Sequence, residues 1–132
     1  MLMDEPELYA VIPVLRITSI EATLPVYEAL GFSVAWQHQL DPAAPRLTSV
    51  RRGSAELYLT EHPVAPPGGV VYVKTKGVDA LVAQARSRGL KASFGPEDRP
   101  WGDREAYFED ADGNVLRFGE PLETANASEC AV

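Results

Sequence analysis

The chain has 132 residues, with 12 Lys and Arg against 19 Asp and Glu, which gives a formal net charge of −7, and it has one Cys. This length is typical of one domain, and the acidity argues against binding to nucleic acid or to anionic membrane surfaces, because both attract basic faces. A single cysteine excludes a disulfide framework and a cysteine-based zinc cluster. Since the sequence shows no basic-then-apolar leader and no apolar run of membrane-spanning length, it predicts a cytoplasmic protein.

The first half of the chain has the pattern of one strand, one helix and then three strands. Thr18 and Glu21 have the spacing of a capping box at the start of the helix, and Gly31 is placed to end it. Pro25 lies too far inside the helix for a first turn, so it predicts a kink or a late start. The predicted elements are a strand at 9–17, a helix at 18–30, and strands at 32–39, 47–52 and 55–61.

The same order of elements begins again after a Pro- and Gly-rich linker at 63–69. The predicted elements of this half are a strand at 70–75, a helix at 78–88 that Gly89 ends, and strands at 91–94, 104–109 and 115–119, with a loop at 95–103 and a hairpin turn at 110–114. The sequence therefore predicts a single domain, 1–119, made of two βαβββ modules, 8–62 and 70–119. A flexible acidic tail is predicted at 120–132.

A repeated βαβββ unit predicts an α+β fold of two mixed sheets, each with a helix on one face and an open, concave other face. Three segments, 11–32, 72–89 and 99–121, resemble the vicinal oxygen chelate superfamily, which includes glyoxalase I, extradiol dioxygenases and bleomycin-resistance proteins. The last segment, with Pro-Trp-Gly, then Arg-Glu, then Asp-x-Asp-Gly-Asn, is similar to the bleomycin-resistance branch. The resemblance implies a homodimer with ligand crevices between subunits, and an exchanged N-terminal strand is left open.

The resemblance also implies where a catalytic member would hold a divalent metal ion through His, Gln and Glu side chains. The motifs align those positions with Ile12, Val70 and Arg117, and the first-half counterpart of Arg117 is taken as Glu56. Aliphatic side chains have no lone pair, and a guanidinium is a cation that repels a metal ion. The sequence thus predicts no metal and no other cofactor. We hypothesise that Arg117 pairs with Glu56 instead.

The candidate function follows from what remains on the concave faces. Trp36 and Trp101 offer rings on which a planar ligand can stack, and residues 97–119 carry seven acidic and three basic side chains, which would attract a cation. The sequence favours a non-catalytic protein that sequesters a cationic, partly aromatic molecule such as bleomycin. The alternatives are a metal-dependent lyase, isomerase or dioxygenase with ligands in another register, and a relative with an unrelated ligand. The candidate ligand-binding residues are Trp36, Tyr58, Tyr72, Trp101, Glu105, Tyr107 and Arg117.

Overall fold

The computed structural model describes residues 4–123 and confirms the predicted α+β class with its two βαβββ modules. Helix α1 passes through Pro25, so the late helix start does not occur. No helix of the described residues is long and apolar enough to cross a membrane. The elements are β1 Val14–Arg16, α1 Ile20–Ala29, β2 Ser33–Gln39, β3 Arg46–Arg52, β4 Ala55–Thr60, β5 Val70–Lys74, α2 Val78–Ser87, β6 Phe94–Asp98, β7 Asp103–Glu109 and β8 Val115–Pro121.

Each module forms one four-stranded mixed sheet, with strand order β1-β4-β3-β2 in the first and β5-β8-β7-β6 in the second. The first strand of each module runs parallel to the last, and the other neighbours are antiparallel. Because directly opposite residues share a face, each sheet carries equivalent rows of side chains. The two rows are Val14, Tyr58, Ser49 and Trp36, and Tyr72, Arg117, Tyr107 and Phe94.

Alternation along the strands separates a core face from an open face in both sheets. Leu15, Leu116 and Phe118 are buried in one hydrophobic cluster that both modules share. Val14 and Val70, which precede the buried Leu15 and Val71 on β1 and β5, are 54% and 64% exposed. Each sheet therefore packs its helix side into a common core and leaves its concave side open to solvent.

Two predicted strands are wrong in extent. The strand predicted at 9–17 pairs only at Val14–Arg16, and residues 4–13 precede the sheet as a segment without assigned helix or strand. The strand predicted at 91–94 lies instead at Phe94–Asp98, inside the expected loop. We predicted a loop here because proline is unfavourable inside a strand, and Pro96 lies in this segment. However, β6 is an edge strand, where a missing N–H is tolerated.

The predicted tail at 120–132 begins too early. Strand β8 continues to Pro121, so the first two residues of that segment belong to the sheet. Residues 124–132, with Cys130, lie outside the described part of the chain.

Each helix is capped by a glutamate near the end of the last strand of the same module. Glu61 directly follows β4, and Glu120 is the last residue but one of β8. Glu61 accepts a hydrogen bond from the Ile20 N–H at 3.0 Å, and Glu120 accepts from the first two N–H groups at α2 at 2.9 and 3.0 Å. A carboxylate at a helix N-terminus satisfies free donors and favours the helix dipole. The predicted capping box is therefore wrong, since Thr18 donates instead to Asp112 at 2.6 Å.

The turn at 110–114 joins the two modules. The buried Tyr27 hydroxyl donates to Asp110 at 2.9 Å, and the Asn114 side chain donates to the Arg16 carbonyl and accepts from the Gly69 N–H, each at 2.8 Å. Buried hydrogen bonds of this kind fix the relative position of packed units because breaking them leaves unpaired polar groups. This hairpin turn thus also locks the second sheet onto α1.

Candidate ligand-binding surface

Glu105 is the centre of a hydrogen-bonded cluster on the concave side of the second sheet. Its side chain is fully buried. One carboxylate oxygen accepts from the Trp101 indole N–H at 2.8 Å and lies 2.9 Å from the Tyr72 hydroxyl. The other accepts from the Tyr107 hydroxyl and from Arg117, each at 3.0 Å. One carboxylate therefore holds two tyrosines, a tryptophan and an arginine in place.

The protonation state of Glu105 follows from these contacts. Burial alone would raise the pKa of this carboxyl group, but the hydrogen bonds from its four donors outweigh burial and lower the pKa to about 2. The Tyr72 hydroxyl also contacts Asp103, so its single proton lies between two carboxylates. Burial and these two acids raise the pKa of Tyr72 well above its usual value. At neutral pH the cluster holds an ionised carboxylate and neutral phenols.

Arg117 has its ion-pair partner within its own sheet. Its guanidinium donates to Glu105, and its central carbon lies 4.7 Å from the centre of the Tyr107 ring and 5.6 Å from that of Tyr72. The hypothesised pair with Glu56 is wrong. Glu56 lies in the other sheet and binds Arg51 at 3.1 Å. Each residue has an oppositely charged partner in its own sheet, so no ion pair between these two residues joins the sheets.

Trp101 is 55% exposed, but a cation already lies over its ring. The central carbon of the Arg99 guanidinium is 4.9 Å from the centre of the Trp101 ring and 4.9 Å from that of Phe94. Sequence reasoning did not identify Arg99 or Phe94 as part of this surface. We missed them because the strand was predicted at 91–94, whereas β6 begins at Phe94 and leads directly to Arg99.

The first sheet presents a second aromatic surface. Trp36 and Tyr58 pack edge to face, with ring centres 5.0 Å apart, and Trp36 is 37% exposed. Val14, which shares a row with Tyr58 and Trp36, is also exposed, at 54%. An aromatic and aliphatic surface of this kind is costly to leave in water, so it is suited to covering by a ligand or by another chain.

The seven predicted ligand-binding residues fall into two groups. The second sheet brings five of them together around Glu105, and the first sheet brings together Trp36 and Tyr58. Among the described residues no hydrogen bond, ion pair or ring contact joins the two groups. The single chain therefore presents two separate surfaces rather than one cleft.

Gly119 is a further residue that shapes the second surface. It lies opposite Glu105 across the β7–β8 pair, and a Cβ atom built there would be 1.7 Å from the Tyr72 hydroxyl oxygen. Only glycine leaves room for that ring. A glycine inside a strand often marks a close approach of another group, but Gly119 was the last residue of the strand predicted at 115–119, so this signal was missed.

The acidity of residues 97–119 does not collect at the Trp101 loop. Asp110 and Asp112 lie in the turn that contacts α1, Asp98 pairs with Arg104 at 2.8 Å, and Glu105 is buried with its cation. A cluster of charges in the sequence is thus dispersed in space. The surface around Trp101 is closer to electrically balanced than the sequence suggested.

The residues at the expected metal positions do not fit a metal ion. Ile12 and Val70 have no donor atom, and Arg117 is tied to a carboxylate as a cation. The strand register makes Tyr58, not Glu56, the counterpart of Arg117. Across residues 4–123 no group of three or more His, Cys, Asp and Glu side chains is arranged to hold a metal.

Two βαβββ modules with open concave sheets define the architecture of the glyoxalase and bleomycin-resistance proteins. The family model for glyoxalase superfamily proteins matches residues 3–125, and the chain belongs to that superfamily. No curated protein sequence matches it.

Solved structures agree with this assignment. A bleomycin-binding protein complexed with bleomycin superposes with a TM-score of 0.68 at 24% identity, covering 86% of this chain and 98% of that one. An antibiotic-binding protein from Streptomyces sp. CB03234 superposes with a TM-score of 0.65 at 28% identity, covering 88% and 99%. A glyoxalase/bleomycin resistance protein from the same organism gives 0.63 at 30% identity, covering 82% and 96%.

Proposed function

We propose that this protein binds a small, partly aromatic and cationic molecule of the bleomycin type in a crevice between two subunits, without catalysing a reaction. The observation that carries the proposal is the pair of open aromatic surfaces, Trp36 with Tyr58 and Tyr72 with Trp101. Stacking on such rings is worth about 1 kcal/mol beyond burial. Similarity to an antibiotic-binding protein at 28% identity supports the same reading.

The two surfaces have different tasks in this proposal. No cation of the described residues lies over Trp36, whereas Arg99 covers one side of Trp101. In this proposal the Trp36 ring therefore contacts a cationic part of the ligand. The net charge of −7 adds long-range attraction for that cation. Tyr72, Tyr107 and Trp101 face the aromatic part, and Glu105 and Arg117 hold them.

Binding alone is sufficient for the function. The residues at the expected metal positions do not fit a metal ion, so these positions supply no Lewis acid to stabilise a reacting oxygen. A protein that holds its ligand tightly lowers the free concentration by mass action. We propose that the protein acts in the cytoplasm, a reducing compartment, because its single cysteine can form no disulfide within the chain.

A second copy of the chain is the proposed cover for the concave faces. Leu8, Tyr9 and Val11, in the segment before β1, are 97%, 89% and 94% exposed. Each module, 8–62 and 70–119, presents an aromatic sheet face that another subunit can complete. Exchange of the segment at 4–13 between copies would bury its apolar side chains and bring the two kinds of surface together.

The dimer is tested by sedimentation velocity. We expect the full chain to sediment as a dimer, and the double variant Tyr9→Asp with Val11→Asp to shift strongly towards monomer, because charges would enter the buried interface. Val64→Asp is the matched control, since Val64 is 81% exposed but lies in the linker between the modules. A monomeric full chain, or equal dissociation in the control, would contradict the proposed dimer.

Ligand binding is tested by titrating the full chain with bleomycin and following tryptophan fluorescence. We expect saturable quenching at micromolar ligand or below, with Trp36→Phe and Trp101→Phe each retaining part of the signal. Binding should persist in the presence of a chelator. No quenching at micromolar bleomycin would refute this ligand class, and turnover that a chelator abolishes would refute the non-catalytic assignment.

A further inference from the structure

A cavity of about 390 Å³ lies between the two modules, away from both aromatic surfaces. It is bounded by the β3–β4 turn at 52–55, by residues 73–77 and by residues of α2 between 80 and 84. Val73 and Phe118 line it, and they alternate along their strands with Tyr72 and Arg117 of the concave face. The cavity is thus on the opposite side of the second sheet from the surface described above. Its size is in the range of small-molecule sites, about 300–1,000 Å³.

The inner wall of the cavity is apolar. Phe32 and Phe118 are each 4% exposed and Leu81 is 6% exposed, and all three line the space together with the half-buried Val73. The two phenylalanines come from different modules. Contact between this wall and an apolar group about the size of a ring or short chain would be favourable, because it removes apolar surface from water.

The rim of the cavity is positively charged in an otherwise acidic protein. Arg52, Lys74 and Lys76 line it, and no Asp or Glu of the described residues does so. Within residues 4–123 none of these three cations forms a salt bridge. Arg52 is held by a hydrogen bond of 2.8 Å to the Leu30 carbonyl. Cations gathered around a concave surface raise the local concentration of anions.

The start of α2 does not supply the binding group. The N–H groups of Gly77 and Val78 are taken by Glu120, whose pKa is lowered by those two hydrogen bonds. The anionic end of a ligand would therefore be held by side chains, with Arg52 supplied by the first module and Lys76 by the second. Ser54 and Thr75 also line the cavity, and the Thr75 hydroxyl donates to the Val73 carbonyl at 2.8 Å.

We propose that this cavity is a second binding site, for a small organic anion with an apolar body, such as an arylalkyl carboxylate. The carboxylate lies at the cationic rim, and the apolar body lies against the two phenylalanines. Apart from Lys74 at the rim, which shares the strand face of Tyr72, the site uses no residue of the concave faces. It stands or falls independently of the function proposed above.

The probe is 4-phenylbutyrate, compared with the uncharged 4-phenylbutanol. Binding is measured on the ¹⁵N-labelled full chain by amide chemical-shift changes. We expect saturable binding of the carboxylate at about millimolar concentration, the affinity typical of a ligand of this size. The shifts should concentrate at residues 53–55 and 75–84. We expect the alcohol to bind at least about tenfold more weakly, because it forms no ion pair.

The double variant Arg52→Gln with Lys76→Gln should weaken carboxylate binding by about tenfold or more. Lys91→Gln is the matched control, because Lys91 is an exposed cation outside the cavity lining, and it should bind as the unchanged chain does. Shift mapping on the unchanged chain needs no variant, so it decides the case even if the double variant fails to fold. Equal affinity for acid and alcohol, shifts confined to the concave faces, or no saturable binding would overturn the proposal.

Discussion

Replacing Glu105 by Gln removes the charge at the centre of the second aromatic surface while keeping the size of the side chain. The glutamine amide can accept hydrogen bonds only through its one oxygen. Its NH₂ group is a donor and takes the place of a carboxylate oxygen, so it faces other donors without an acceptor between them. The Trp101 indole, the Tyr107 hydroxyl and the Arg117 guanidinium then compete for one acceptor. We expect both the fold and the position of Trp101 to suffer.

Two estimates of the magnitude agree. The pKa of Glu105 is lowered to about 2, against an ordinary value of about 4.3, and at about 1.4 kcal/mol per pKa unit this is equivalent to about 3 kcal/mol. Removing one member of a buried ion pair costs about 3–5 kcal/mol. The lower end applies because the Arg117 side chain is 31% exposed and can regain some water. We therefore expect the free energy of unfolding to fall by about 3 kcal/mol.

Urea denaturation measures this loss, with Glu109→Gln as the control. Glu109 lies on the same strand and the same face but is exposed, so its replacement should change the unfolding free energy by less than about 0.5 kcal/mol. In a Trp36→Phe background, acrylamide quenching of Trp101 should rise in Glu105→Gln and stay unchanged in Glu109→Gln. If Glu105→Gln is as stable as the control, or if Trp101 quenches equally in both, the positioning role assigned to Glu105 is refuted.

The pH dependence of the unfolding free energy tests the same carboxylate. Because the pKa of Glu105 is lower in the folded state than in the unfolded state, its stabilisation is fully present above about pH 5 and is lost as pH falls towards about 2. Glu61 behaves alike, since hydrogen bonds led by Arg46 lower its pKa to about 2 despite burial. Glu105→Gln should therefore flatten, but not abolish, the fall in stability between about pH 5 and 2.

Three further substitutions test separate contacts. Gly119→Ala should displace the Tyr72 ring and cost about 1–3 kcal/mol by thermal unfolding, and an unchanged melting temperature would mean that the ring moves freely. Tyr27→Phe should cost about 1–3 kcal/mol in urea, because Asp110 loses a buried donor, and no loss would remove the turn at 110–114 as a lock between modules. Glu120→Gln should cost about 1 kcal/mol and fray the start of α2, seen as faster amide exchange there and not in α1.

The fold could be read from the sequence where the signal is local. Gly31 and Gly89 end the helices where expected, and the order of strands and helices in each half is as predicted. The helix caps were missed because Glu61 and Glu120 reach the helix starts from about 40 residues away along the chain. Periodicity within one element carries no information about such contacts.

The site was harder to predict than the fold for the same physical reason. From the sequence we predicted that Glu105 lies near Trp101 and carries a negative charge. Whether such a carboxylate is buried depends on the side chains that the neighbouring strands place beside it, and the sequence does not show those. Here β5 supplies Tyr72 and β8 supplies Arg117. The register between three strands decides whether Glu105 contacts a ligand or holds the residues around it.

Arg117 occupies the position that the family resemblance assigns to a metal ligand. Its position resembles one where catalytic relatives carry a glutamate, and an arginine there reverses the sign of the charge. The charge is balanced on the adjacent strand by Glu105, which lies one diagonal step away opposite Gly119. A metal ion ties side chains of a sheet together through its charge, and the Glu105 and Arg117 pair does so with charges that the chain itself supplies. Because glycine leaves space for Tyr72 over this pair, the arrangement depends on residues 105, 117 and 119 together, and we expect any one of them to be poorly tolerant of change alone.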